Sequence, residues 1–394
     1  MMEKKREFLW LDWIVWGILV ALVMLAYTSA GRYLTVIARG GQLMFVPLVV
    51  LFFNHVDWKQ ALQEREKGLL LCMAAGVLVV INMFLAKAGP GVIFDIADLL
   101  LILYLSDKVK IDDVSLAIIS AGFLLILCFW IKHDGSDYNA NTISMIVFEA
   151  TIVSAVCGCS LLSKWNKGWL VYPYLLATIP TIVWPIAKKF RGRTTLVAVL
   201  IMLFFFLVVP KLIWRVRALY YAATGGVLLV SLAVPAAFTY IYVGYVSQGL
   251  TFPPELRKFG GREPVWLQFF EAWTKEPWTG IGNDYVAKIP DLLFTNVHNG
   301  LLHILTVYGV LVFLITLILF GMVIAKIRTD EMSTAKKLGF SLIIAMVAMM
   351  TMESYVITAF SNLVFFFVLL VIFRENGQMR KNIAQNEQEQ GKNT

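Results

Sequence analysis

What this chain has little of narrows it first. Only 15% of its 394 residues are charged, against 59% hydrophobic, and the mean hydropathy is +0.75. A water-soluble domain is nearer half apolar and a quarter charged, so a soluble globular protein is excluded. Cysteine is scarce. All four, Cys72, Cys128, Cys157 and Cys159, fall inside apolar runs with no zinc-like spacing to histidine, which supports neither a disulfide framework nor a metal site and leaves packing as their expected role. A short cleavable signal peptide is not expected either. The apolar run after Met1-Met2-Glu3-Lys4-Lys5-Arg6 continues for about 20 residues, long enough to cross a bilayer, so the first span is expected to be an anchor.

What remains is a succession of long apolar runs. Hydropathy predicts an all-α polytopic membrane protein with about twelve transmembrane helices, near 9–27, 33–54, 68–86, 90–106, 114–132, 142–162, 169–187, 194–211, 218–245, 298–325, 338–360 and 361–374. The second contains Arg39 before Gly40 and Gly41, and the last is short, so the parity of the loops rests on both. Lysine and arginine in the short loops set the orientation. With both termini cytoplasmic, Lys59, Arg65 and Lys67, Lys108 and Lys110, Lys164 and Lys167, Lys211, Arg215 and Arg217, and Lys326, Arg328, Lys336 and Lys337 all lie inside. Residues 1–374 then form one membrane domain. Residues 375–394, rich in Gln, Asn, Glu and Lys, have too few apolar groups to fold onto it and are expected to be a disordered cytoplasmic tail. The net charge of +8 is spread over loops flanking spans, as orientation alone requires, and does not point to nucleic acid.

This parity leaves two outward features. One is the long loop 247–297, which lies before the tenth span; long connections tend to carry function. Within it Trp266, Phe269, Phe270 and Trp273 recur at helical spacing while Gln268, Glu271 and Lys275 point elsewhere, predicting an amphipathic helix over 264–276 that lies on the outer membrane surface or the bundle. Pro264 suits its first turn and Pro277-Trp278-Thr279-Gly280-Ile281-Gly282 terminates it. The other feature is Lys188-Lys189-Phe190-Arg191-Gly192-Arg193, a basic cluster on the outside against the usual rule. Either the parity fails there or the cluster meets something anionic, a ligand or lipid headgroups.

His298 stands where the long loop runs into the apolar helix near Leu301. Histidine changes charge near neutral pH without help, so at a helix start beside water it is a candidate proton carrier. His303, five residues on, points to another face and is expected to pack. Arg32 and Arg39 snorkel or extend an anion site. Asp95 and Asp98 share a helical face, Glu149 falls mid-span and Glu353 nearer the outer end; acids in spans are expensive. They would form a proton relay or neutralise buried cations, and Glu353 is expected to support the basic outer site.

In order along the chain stand Arg262 and Trp266, then Pro277, Gly280 and Gly282, then His298-Asn299 heading a helix with Leu302, Leu305 and Gly309. With Arg193-Thr194-Thr195-Leu196 upstream, this series resembles the signature of the O-antigen ligase and polymerase family, within residues 190 to 325. The resemblance implies a fold like the membrane-integral inverting glycosyltransferases (GT-C-like). It also implies an active site on the outer face of a bacterial cytoplasmic membrane and no obligatory metal or cofactor. The donor would be a glycan on undecaprenyl diphosphate and the acceptor another lipid-linked repeat unit (polymerase) or lipid A core (ligase), with other membrane proteins of a polysaccharide pathway as further partners.

The residues suit that chemistry. Arg193 and Arg262 offer forks of donors that stay charged, suited to a leaving diphosphate. His298 would take the proton of the acceptor hydroxyl. Arg191, Lys189, Asn299, Trp266 and Glu353 are candidate substrate-binding neighbours, Asn299 also being a natural helix cap. A transporter or flippase of lipid-linked glycan is the competing class; it predicts charges along a path through the bundle and two related halves. The enzyme predicts charges gathered around the loop and the basic cluster. On the parity above, a cysteine at Gly192 is expected to face the outside.

Overall fold

A computed structural model describes residues 9–28, 40–86, 89, 91–133, 140–209, 211–250, 262–289, 292–294, 296–329, 332–353 and 357–392. Arg32, Arg39 and residues 251–261 of the long loop lie outside the described residues. In chain order the elements are α1 (Leu9–Tyr27), α2 (Gly40–His55), the short α3 (Trp58–Gln63), α4 (Lys67–Leu85), α5 (Gly91–Leu105), α6 (Asp113–Lys132), α7 (Ala140–Ser163), α8 (Gly168–Lys189), α9 (Arg193–Val208), the short α10 (Lys211–Arg215), α11 (Arg217–Ser247), α12 (Glu263–Trp273), an antiparallel hairpin of β1 (Ala287–Ile289) and β2 (Leu292–Phe294), α13 (Gly300–Ile327), α14 (Thr334–Met349) and α15 (Ala359–Lys392). Among the described residues eight helices, α1, α4, α6, α7, α8, α11, α13 and α15, are long and apolar enough to cross a membrane. The shorter α2, α5, α9 and α14 stand where the sequence places further spans. The chain is an all-α, multi-pass membrane protein with one small hairpin.

α7, α14 and the first half of α15 form the middle of the bundle. Nearly every side chain of α14 is buried, as is the run from Leu363 to Ile372. Helices at the periphery instead expose apolar side chains, such as Phe84, Leu176, Leu229 and Tyr240, a surface that suits lipid and not water. α8 carries Pro173, Pro180 and Pro185 and widens into a π turn at Ile179–Val183, where Pro180 lacks the N–H that a regular α-turn uses.

The two ends of the bundle differ in character. At one, Lys108 pairs with Glu66, Lys326 with Asp107 at 2.5 Å, and Asp113 with both Lys164 and Arg374. These ties gather the basic loops assigned to the cytoplasm. At the other, the Gly89 N–H donates to Asp284 at 2.9 Å and α12 and the hairpin sit over α11 and α13. The basic cluster belongs to this second end, because Arg193 shares a cavity with Thr351 and Met352 at the end of α14.

α12 forms where the periodicity predicts, with Pro264 in its first turn. It buries Val265, Trp266 and Phe269 against Ala287, Val297 and Leu302, so its apolar face covers the bundle. Beneath it, the Pro277-x-x-Gly280-x-Gly282 turn inserts into a break in α13. Gly309 has φ 82° and ψ 169°, so Val310 cannot donate to Thr306 as in an unbroken helix. Its N–H goes to the Pro277 carbonyl at 2.9 Å, and the Thr306 and Val307 carbonyls receive the N–H groups of Ile281 and Gly282 at 2.9 and 3.1 Å. Broken helical backbone is tolerable at membrane depth only where such partners exist. Asn82, wholly buried on α4, adds donors to the carbonyls of Thr279 and Val307.

One expectation is corrected. The span predicted at 338–360 ends at Met349, because the following residues are drawn into the polar end described below. The last helix, α15, continues past residue 374. Glu375 is buried and accepts hydrogen bonds from Ser160 and Ser333, both at 2.5 Å, and α15 runs on to Lys392. Extending a helix already nucleated by packing is far cheaper than starting one, and the tail is rich in good helix formers.

A Cβ at Gly192 would run into Ser144, so the exposed Lys188 is the better probe of sidedness. A cysteine there should react with an impermeant thiol reagent added from outside, and reaction only after membrane disruption would reverse the orientation. Gly309→Ala, whose Cβ would meet the Trp278 carbonyl at a φ that L residues avoid, should lower stability by about 2 kcal/mol or more in thermal unfolding in detergent. Gly321→Ala, with open space around it, should not.

Candidate active site

The site is assembled by the way α14 ends. The last carbonyls of α14 are taken by the N–H groups of Met350 to Glu353, and the three carbonyls of the turn that follows are satisfied from elsewhere in the chain. Met350 receives the Gly300 N–H at 2.9 Å, Thr351 receives the Asn299 amide at 3.1 Å, and Met352 receives the Arg262 guanidinium. A cation at a helix C-terminus is also favoured by the helix dipole.

Glu353 comes next. Its Oε1 takes the second fork of Arg262 at 2.6 Å and its Oε2 lies 3.4 Å from His298 Nδ1. Arg262, Glu353 and His298 therefore form one chain, with side chains 16%, 15% and 29% exposed. Burial pushes the Glu353 carboxyl up, but the His298 hydrogen bond and the Arg262 charge overcome it and hold the group below the usual carboxylate range. It is ionised at neutral pH.

His298 is held at its backbone too. It has φ 53°, in the left-handed region, and its N–H donates to Asn296 Oδ1 at 2.8 Å, the kind of side-chain turn that makes this conformation tolerable. Asn299 follows as the N-cap of α13, its Oδ1 accepting from the Leu302 N–H at 2.7 Å while its amide spans to the Ser231 carbonyl at 2.8 Å as well as to Thr351. One buried side chain thus ties α11, α13 and the end of α14 together.

Arg193 starts α9 and is exposed, with Arg191 (φ 54°) and Lys189 beside it. Among the described residues no acid pairs with Arg191 or Arg193, and Lys189 lies over the Phe190 ring at 5.0 Å. Arg193 and Thr194 edge an otherwise largely apolar cavity of about 570 Å³ between α9, α11 and the end of α14, which Thr351 and Met352 also line. Because Arg262 grips the Met352 carbonyl, the cavity rim is continuous with the Arg262–Glu353–His298 chain.

Not every expected neighbour is available. Trp266 is 0% exposed and donates its indole N–H to the Val297 carbonyl at 2.9 Å. It braces the backbone beside His298 and offers no face to a substrate. Asn299 is also 0% exposed, with its polar atoms engaged in holding the backbone around it. His303 packs near the Tyr308 ring, centroids 6.1 Å apart, away from the site. Glu149 receives the Tyr27 hydroxyl at 2.7 Å, tying α1 to α7. Asp98 is buried with neither oxygen partnered among the described residues, and Asp95 approaches Gly41. Sequence reading missed Asn82 and the turn 350–352 that precedes Glu353. Asn82 had a usable signal, as an amide inside an apolar span; the turn had none.

These features define a multi-pass membrane protein with a polar, cation-rich site at one end of its bundle, beside an apolar cavity. Residues 186–317 match the model of the O-antigen ligase family, a family of membrane glycosyltransferase-type enzymes. The match contains Arg193, Arg262, His298 and Gly309; Glu353 lies beyond it. No curated protein matches the chain.

Asn299→Ala should cost about 2 to 4 kcal/mol, one lost cap plus two carbonyls left without donors. Thermal unfolding measures it, and a loss below 1 kcal/mol would contradict the role given to this side chain.

Proposed function

We propose that this protein is a polysaccharide polymerase on the outer face of a bacterial cytoplasmic membrane, transferring a glycan from undecaprenyl diphosphate to a hydroxyl of a second lipid-linked repeat unit. The observation that carries the reading is the continuity of two arginines, a histidine and an apolar cavity at one end of the bundle. The diphosphate sits between Arg193 and Arg262, with Arg191 and Lys189 adding positive potential. The acceptor hydroxyl attacks the anomeric carbon while His298 takes its proton. The bond from that carbon to the diphosphate oxygen breaks and the electron pair leaves on the diphosphate, where fixed cations stabilise it. One displacement of this kind inverts the anomeric configuration. No step is assigned to a metal or cofactor.

Charge placement supports an enzyme over a flippase. The described ion pairs sit at the two ends of the bundle, and the interior acids Asp98 and Glu149 do not continue the chain of charges at the site. The polymerase is preferred to the ligase as a reading of the family and not of any residue in this chain.

Incubating the purified protein in lipid with a defined undecaprenyl-diphosphate repeat unit should give a ladder of longer glycans. His298→Ala should lower the rate by about 10² to 10⁴-fold, and Arg262→Lys and Arg193→Lys should both slow it, since lysine cannot replace a bidentate fork. An undiminished ladder from His298→Ala would remove the base; transfer to lipid A core with no ladder would select the ligase.

A further inference from the structure

Glu353 lies outside the segment matched to the family, on the turn after α14, yet it touches two of the three residues on which the proposed chemistry depends, Arg262 and His298. We infer that Glu353 is a positioning residue that sets the tautomer of His298, holding the proton on Nδ1 so that Nε2 carries the lone pair. The inference rests on the reading of His298 as the base.

The geometry gives the reason. A carboxylate is an acceptor only, so a neutral imidazole whose Nδ1 faces Glu353 Oε2 at 3.4 Å must donate from that nitrogen. Its basic nitrogen is then Nε2, on the opposite side of the ring. Glu353 is itself fixed, because Oε1 is held by Arg262 at 2.6 Å and Arg262 is anchored on the Met352 carbonyl. Asn296 fixes the histidine backbone from the other side. The ring is thus oriented by two groups that come from different parts of the chain. A base whose second nitrogen is held by an anchored carboxylate is the arrangement that keeps imidazole in one orientation during proton transfer.

The alternative role for Glu353 is direct contact with substrate sugars. Both carboxylate oxygens are already engaged by protein donors, and the side chain is mostly buried, which favours positioning.

The test is nitrogen NMR on the full-length protein in lipid with labelled histidine. There are only four histidines, so the His298 signals are assigned by their loss in His298→Ala. At a pH where the ring is neutral, wild type should show the proton on Nδ1, the minor form of free histidine. In Glu353→Leu the ring should move to the Nε2–H form or a mixture, with kcat reduced by about 10²-fold, and Glu353→Asp should restore part of both. Unchanged signals from His55, His133 and His303 establish that the variant is folded. An Nε2–H ring in the wild type overturns the inference without needing any variant, as does a tautomer that Glu353→Leu leaves unmoved. Failure of the base reading is separate: His298→Ala would keep its rate whatever tautomer the wild-type ring adopts.

Discussion

The polar end of this protein depends on the need of buried backbone and charge for partners. α14 stops inside the protein, and the carbonyls of Met350, Thr351 and Met352 in the turn after it would be left without donors. They are met by Gly300, Asn299 and Arg262. The same requirement places Glu353 against Arg262, since a largely buried guanidinium needs a carboxylate and a largely buried carboxylate needs a cation. His298 takes the remaining oxygen. Loop, helix start and helix end are therefore fixed by one set of hydrogen bonds, and removing any member leaves another unsatisfied.

A second set, of the same kind, holds that assembly in place. The glycine turn enters the break in α13 and exchanges hydrogen bonds with it, with Asn82 reaching across from α4. Gly280 and Gly309 have positive φ, and a side chain on either would strike the backbone of the other segment. The glycines of the motif are thus explained by close approach of two backbones and do not need a ligand. This turn also sets where α12 ends, and α12 in turn carries Arg262 at its start. Placement of the arginine is mechanical before it is chemical.

Much of this was legible from residue order. The apolar runs gave helix positions because a bilayer demands length and hydropathy, and most observed helices begin and end within a few residues of them. The α12 stripe was visible because Trp266 and Phe269 share a helical face. His298 and the arginines were visible as polar or charged residues in places that cost energy. The end of α14 was not, since Met349, Met350 and Met352 read as continuing apolar helix and nothing local breaks it. The burial of Trp266 and Asn299 was hidden for a related reason: a residue near a site in sequence is as often its scaffold as its surface, and only burial separates the two.

By itself the sequence determined the class of protein, the course of its helices and which side chains were chemically able to bind a diphosphate or move a proton. Composition and periodicity are properties of the chain alone, and a membrane reads them directly. Tertiary structure decided which of those side chains meet. Glu353 stands 91 residues from Arg262 and 55 from His298. No local spacing encodes that junction, which exists because helices packed side by side bring the start of α12, the start of α13 and the end of α14 to the same end of the bundle.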